Sequence, residues 1–157
     1  MKTLPNEVQK LFEYVSAGTS AFHVIDHSKK VLSEAGFTEL KLPDYLTYLG
    51  KFAFFHCENI THMTIPETIT IIDDYTFFYC TSLKDIQFND NITHIGYQSF
   101  YNNNKLAEIK FPASLVSIGD QAFEECKSLT QLVFPEKLER LGSSAFAFCS
   151  NLKEVTI

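Results

Sequence analysis

The sequence predicts an α/β solenoid: short parallel strands stacked at one fixed period, behind a helical N-terminal cap. Three observations carry this. A 23-residue period runs without insertion from Phe37 to the last residue, Ile157. Within each period, apolar residues alternate over a few positions and then meet a proline, the mark of a short strand and its stop. The first 36 residues fall outside the repeat and carry helical periodicity instead.

The cap comes first in the chain. From Asn6, the residues Val8, Leu11, Phe12 and Val15 recur at i, i+3, i+4 and i+7, which predicts an amphipathic helix ending near Gly18. A second helix is predicted from Ala21 to Ala35, with Ser20 as N-cap and Gly36 as its stop. A solenoid exposes its core at its ends, so these two helices are assigned to cover one of them.

Five full units follow, at 37–59, 60–82, 83–105, 106–128 and 129–151, with a partial sixth at 152–157. Phe54, Phe77, Phe100, Phe123 and Phe146 keep the step, as do Leu49, Ile72, Ile95, Ile118 and Leu141. Gly50, Gly96, Gly119 and Gly142 follow it with Asp73 as the departure, and Cys57, Cys80, Cys126 and Cys149 with Asn103 in the missing term. A stretch such as Leu83, Ile86 and Phe88 reads as one strand per unit, with Ile86 and Phe88 inward. Pro43, Pro66, Pro112 and Pro135 end that strand because proline has no amide to donate. The glycine is read as permitting a tight bend, and G-x-x-[AS]-F-x-x-C as one or two turns of α or 3₁₀ helix. One unit cannot bury its own apolar face, so neighbours stack, and Phe100, Phe123 and Phe146 are expected in one internal column. That accounts for a composition of 15 Phe and no Trp: 13 of the Phe lie at or beyond Phe37, and what remains outside is expected to be acidic and polar.

The segments LKDIQFNDNITHIGYQSF and LAEIKFPASLVSIGDQAFEECKS resemble the BspA-like leucine-rich repeats of bacterial and protozoan proteins, which share I-G-x-x-A-F-x-x-C. The resemblance spans 37–157 and implies a right-handed leucine-rich-repeat superhelix with its short parallel strands on the concave face. It also implies a surface or secreted protein that binds host proteins, matrix or other cells. A second resemblance covers Leu11 to Leu40, LFEYVSAGTSAFHVIDHSKKVLSEAGFTEL, which is similar to the N-terminal segment of the aspartyl aminopeptidase family of two-zinc peptidases. The metal-binding A-H-x-D-S-P type of motif that this family carries downstream does not occur in the sequence, so no peptidase activity is carried over.

Composition narrows the function further. Hydrophobic residues at 45% and charged residues at 20% specify a globular chain, and no apolar run is long enough for a membrane helix. The start MKTLPNEVQK holds no apolar signal core, which leaves localisation open. A net charge of −6 argues against a nucleic-acid partner, and all of it falls in the repeats. His23 and His27 stand at i, i+4 around Asp26, but HVIDH lacks the glutamate of a zincin motif and no third ligand is near. His56, His62 and His94 occupy three different repeat positions. The cysteines never form C-x-x-C, so they are read as small core residues, with rung-to-rung disulfides (Cys57 with Cys80, Cys126 with Cys149) as the sharper alternative. Asn59-Ile60-Thr61 and Asn91-Ile92-Thr93 match the short glycosylation sequon, and Tyr101 to Lys105 reads as a turn. No catalytic constellation, metal site or cofactor site emerges.

Binding is therefore assigned to the concave strand face. Its outward positions are Glu39 and Lys41, His62 and Thr64, Asp85 and Gln87, Glu108 and Lys110, Gln131 and Val133, and Glu154 and Thr156. The expected role is a non-enzymatic scaffold for a protein partner. The alternative is an assembly module that self-associates through the strand from Leu152 to Ile157, where no polar repeat covers the edge. Within 60–82, Glu67, Asp73 and Asp74 have no Lys or Arg in their own unit and are read as a solvated acidic flank.

Overall fold

In the computed structural model, the described residues are 39–157 except Pro43. The two predicted cap helices, the His23, Asp26 and His27 group, the aminopeptidase-like segment and the Pro43 stop lie outside them. The described residues form a parallel β-solenoid with no helix among them.

Each rung has three walls. The first wall carries β1 (Glu39–Lys41), β2 (His62–Thr64), β4 (Asp85–Gln87), β7 (Gln131–Val133) and β9 (Glu154–Thr156). All pair in parallel at a 23-residue register, Met63 opposite Ile86 and Leu132 opposite Val155. The second wall was not anticipated: β3 (Ile71–Ile72), β5 (His94–Ile95), β6 (Ser117–Ile118) and β8 (Arg140–Leu141) form a continuous four-stranded sheet. The 23-residue step of Ile72, Ile95 and Ile118 was legible; two-residue strands are too short to register as a pattern.

The third wall corrects the helical reading of G-x-x-[AS]-F-x-x-C. It is a run of turns with two left-handed residues per rung, at Phe52 and His56, Tyr75 and Tyr79, Gln98 and Asn102, Gln121 and Glu125, and Ser144 and Phe148. A bulky L-residue in that region is strained, so something must hold it. The amides alternate in their partners: Phe52, Phe54 and His56 donate to Asp74, Thr76 and Phe78 of the next rung, while Ala53, Phe55 and Cys57 donate back three residues. Tyr75, Phe77 and Tyr79 repeat the pattern onto Tyr97, Ser99 and Tyr101. A helix would send every amide backward and leave the rungs unjoined, so the inter-rung bonds select the turns.

The glycines also have a different reason from the one predicted. A Cβ on Gly119 would lie 2.7 Å from the Gly96 carbonyl carbon, and one on Gly142 2.3 Å from the Asp120 nitrogen. Close approach of successive rungs, not a bend, excludes a side chain there. At Gly50 the nearest atom is a ring carbon of Tyr48 at 3.4 Å, an ordinary contact.

Inside, Phe54, Phe77, Phe100, Phe123 and Phe146 stack as expected, with centroids 5.1, 5.1, 4.9 and 5.1 Å apart and planes within 14°. The first four rings are fully buried, each stabilising the fold by about 1.5–3 kcal/mol. Beside them run the buried cysteine thiols. Cys80, Cys126 and Cys149 each donate through Sγ to the carbonyl 26 residues back, at 3.0, 3.2 and 3.2 Å. Asn103 takes over that role with Nδ2 on the Phe77 carbonyl at 2.9 Å. Burial pushes the Cys80 and Cys126 thiols well above their usual range and Cys149 to about 11. Asn89 stands in the proline column, where its side chain bonds the Ile69 carbonyl and the Asn91 amide, closing the same corner by other means.

The first wall breaks at one rung. No strand forms at 108–110, contrary to the predicted strand in every unit. Its position in the column that follows each strand explains why. That column reads Leu42, Ile65, Phe88, Phe111, Phe134, Ile157. Pairing holds wherever an aliphatic residue meets its neighbour, at 42/65, 65/88 and 134/157, and fails at 88/111 and 111/134, where phenylalanine follows phenylalanine. The Phe111 and Phe134 rings sit 5.9 Å apart, wider than the 4.7–4.9 Å between hydrogen-bonded strands. Like-charged Asp85 and Glu108 both line the first of the two gaps, which adds repulsion.

Candidate functional site

The predicted face is the outward side of the first wall, and the alternation places it as the sequence implied. His62 and Thr64 are exposed around buried Met63, Asp85 and Gln87 flank buried Ile86, and Gln131 and Val133 flank buried Leu132. Glu39 and Lys41 stand on β1, paired with His62 and Thr64. Glu154 and Thr156 are exposed on β9, where Val155 between them is exposed as well. Glu108 and Lys110 are exposed but sit on the unpaired rung, so the structure separates them from a continuous ladder.

That separation opens a cleft of about 300 Å³ lined by Asp85, Ile86, Gln87, Phe88, Glu108 and Lys110. Four of these are predicted site positions and the other two lie immediately beside them; the cleft itself was invisible in the sequence, because it depends on two neighbouring rungs failing to pair. Across it, Ala107 to the Lys84 carbonyl at 3.3 Å is the one ladder bond among the described residues. The amides of Ile86, Phe88, Glu108 and Lys110 have no backbone acceptor there. The charged side chains take no ion pair: those among the described residues join Lys51 to Asp74, His56 to Glu58 and Lys127 to Glu125, and none includes Asp85, Glu108 or Lys110.

Two other surfaces compare poorly with it. A 270 Å³ depression on the second wall is lined by Asp74, His94, Tyr97, Ser117, Asp120 and Arg140 among others. Its carboxylates already serve the fold: Asp74 holds Lys51 at 2.7 Å and the Tyr97 amide at 2.8 Å, and Asp120 holds the Ser143 amide at 2.9 Å. The acidic flank of 60–82 is thus largely a set of rung-to-rung ties, with Asp73 accepting from Tyr48 at 2.6 Å and Glu67 from Asn91.

The third wall corrects the expectation that only polar residues remain outside. Phe52 stacks on Tyr75 at 4.6 Å, His56 on Tyr79 at 4.8 Å, and Phe55, Phe78 and Tyr101 form a continuous pile at 5.0 and 5.1 Å, all half-buried. The 23-residue recurrence of aromatic residues at these positions was the signal for it. Because the rings stack face to face between rungs, they turn edges rather than faces to solvent, which suits stability more than ligand stacking. His56, His62 and His94 fall on the third, first and second walls respectively, and no group of three metal-ligating side chains forms among the described residues.

The profile of the BspA type leucine rich repeat region matches residues 27–153 in six copies. Among solved structures, the chain is similar to the Treponema pallidum leucine rich repeat protein TpLRR, at 30% identity and TM-score 0.73 over 76% of this chain and 58% of that one. A leucine-rich repeat protein from Bacteroides ovatus matches at 30% identity and TM-score 0.71, over 76% of this chain and 33% of that one. The pneumococcal vaccine antigen PcpA shares the fold at 24% identity and TM-score 0.61, over 75% and 26%. The chain thus spans little more than half, or less, of the length of each. No curated protein matches.

Proposed function

Since the chain belongs to the BspA-type leucine-rich repeat family, we propose that it is a non-enzymatic repeat scaffold that binds a protein partner through the outward face of its first wall, the concave face of the leucine-rich-repeat resemblance. One observation carries the reading: this wall combines a cleft with two carboxylates and a lysine, none of which takes an ion pair among the described residues. On the second wall, Asp74 and Asp120 are spent joining rungs. A surface or secreted setting, as in the resemblance, is where such a scaffold would meet its partner.

The test is the double variant Asp85→Arg with Glu108→Arg, compared with the parent chain for capture of partners from a relevant extract. Loss of a captured protein supports the reading; unchanged capture rejects this face. A second reading rests on the exposed apolar groups of the last rungs, Leu141 and Val155 at about half exposure and Phe148 at 69%. A further rung would cover them, whether from the same chain or from a second copy. Concentration-dependent light scattering of this chain, repeated after a polar rung is appended beyond Ile157, separates self-association from simple exposure.

A further inference from the structure

We propose that the cleft between β4 and the unpaired rung at 108–110 is a guanidinium pocket that receives an arginine side chain of the protein partner. This rests on the first-wall reading above and specifies the chemistry that the partner presents. The pocket follows from the sequence in two steps. Phenylalanine follows phenylalanine at 88 and 111, where the wall fails to pair, and the repeat then brings Asp85 and Glu108 to the lining of the same cleft. Both carboxylates line the cleft, with no cation of the described residues in ion-pair contact with either.

That arrangement favours a planar, divided cation over a point charge. A guanidinium offers five donors in a fixed planar fork that can address two carboxylates at once, where an ammonium has three donors on one strongly hydrated point charge. The opened ladder supplies further acceptors, since no backbone amide of the described residues donates to the carbonyls of Ile86 and Glu108 across the gap. Phe88, whose ring packs edge-to-face on Phe100 in the core, closes one end of the cleft. Lys110 lines the same cleft and limits the site to one added positive charge against two carboxylates. The cleft volume of about 300 Å³ accommodates one extended side chain and excludes a folded segment.

The experiment titrates the whole chain with acetyl-arginine amide and follows backbone amide shifts by NMR. Saturable shifts centred on Ile86, Phe88 and Glu108 to Lys110 are expected, with millimolar affinity for so small a probe. Acetyl-lysine amide should bind about fivefold or more weakly, and calcium should not compete. Asp85→Asn with Glu108→Gln should weaken binding about tenfold or more with the fold unchanged. Phe111→Ile, which lets the wall close while keeping both carboxylates, should abolish it. Equal response to the lysine probe, competition by calcium, or arginine binding untouched by Phe111→Ile overturns the pocket. If partner capture is lost in the Asp85→Arg, Glu108→Arg variant while the arginine probe gives no response, the pocket falls and the first-wall reading stands. Unchanged capture with a responsive pocket rejects the first-wall reading and the assignment of the arginine to a partner.

Discussion

Asn103→Cys should stabilise the protein, and the reason can be worked from one column. Asn103 is fully buried, where the equivalent positions hold cysteine. Its Nδ2 reproduces the bond of the thiols to the carbonyl 26 residues back, but its Oδ1 has no hydrogen-bond partner. A buried, unmet acceptor costs about 1–3 kcal/mol. Cysteine keeps the donor and is close to asparagine in size, so the substitution removes the unmet group without opening a cavity. For a chain of this length, each 1 kcal/mol moves Tm by roughly 2–4 °C, so a rise of about 2–12 °C is expected. Urea unfolding under reducing conditions should show a higher midpoint with an unchanged m-value. Asn103→Ala, which loses the donor and the unmet acceptor together, should fall between the two. Equal or lower stability of the cysteine variant would show that Oδ1 is satisfied, and that the column tolerates asparagine without penalty.

Ile65→Phe should extend the run of phenylalanines and open the β2–β4 pairing, seen as faster amide exchange at Ile65, at a cost of about 1–3 kcal/mol from overpacking; protection equal to the parent chain contradicts the explanation of the broken wall. Gly119→Ala should destabilise by about 1–3 kcal/mol, because its Cβ would meet backbone of the preceding rung, while Gly50→Ala stays within about 0.5 kcal/mol; thermal melts of the pair decide this. The cysteine thiols bind their protons more tightly in the folded than in the unfolded chain, so this stability is complete below the ordinary thiol pKa of 9.0. It should fall as pH rises through the folded-state values, over about 9 to 11 for Cys149, measured as a declining urea midpoint. Thiol reagent at pH 8 should leave Cys80 and Cys126 unmodified in the folded chain, with four thiols titrating after denaturation.

How far the sequence carries the reader depends on whether a feature repeats. Phe100 can be placed beside Phe123 from numbering alone, because a strict period superimposes equivalent residues, and the same argument places Asp85 and Gln87 outward around Ile86. The turns of the third wall escaped because G-x-x-[AS]-F-x-x-C is compatible with helix locally, and only the amide bonds to the next rung favour left-handed residues at positions such as Phe52 and His56. The outer aromatic piles were missed because a count of phenylalanine cannot separate Phe54 in the core from Phe52 and Phe55 on the surface.

By itself the sequence determined a parallel solenoid of 23-residue rungs, its buried Phe and Cys columns and the polar face that alternates with its first wall, since each follows from spacing within one unit. Only the tertiary structure decided where that wall breaks and therefore where its charged groups gather around a cleft. The physical reason is that ladder bonds require neighbouring rungs to approach within strand distance, and whether Phe88 and Phe111 permit it is a property of the pair that neither repeat contains alone.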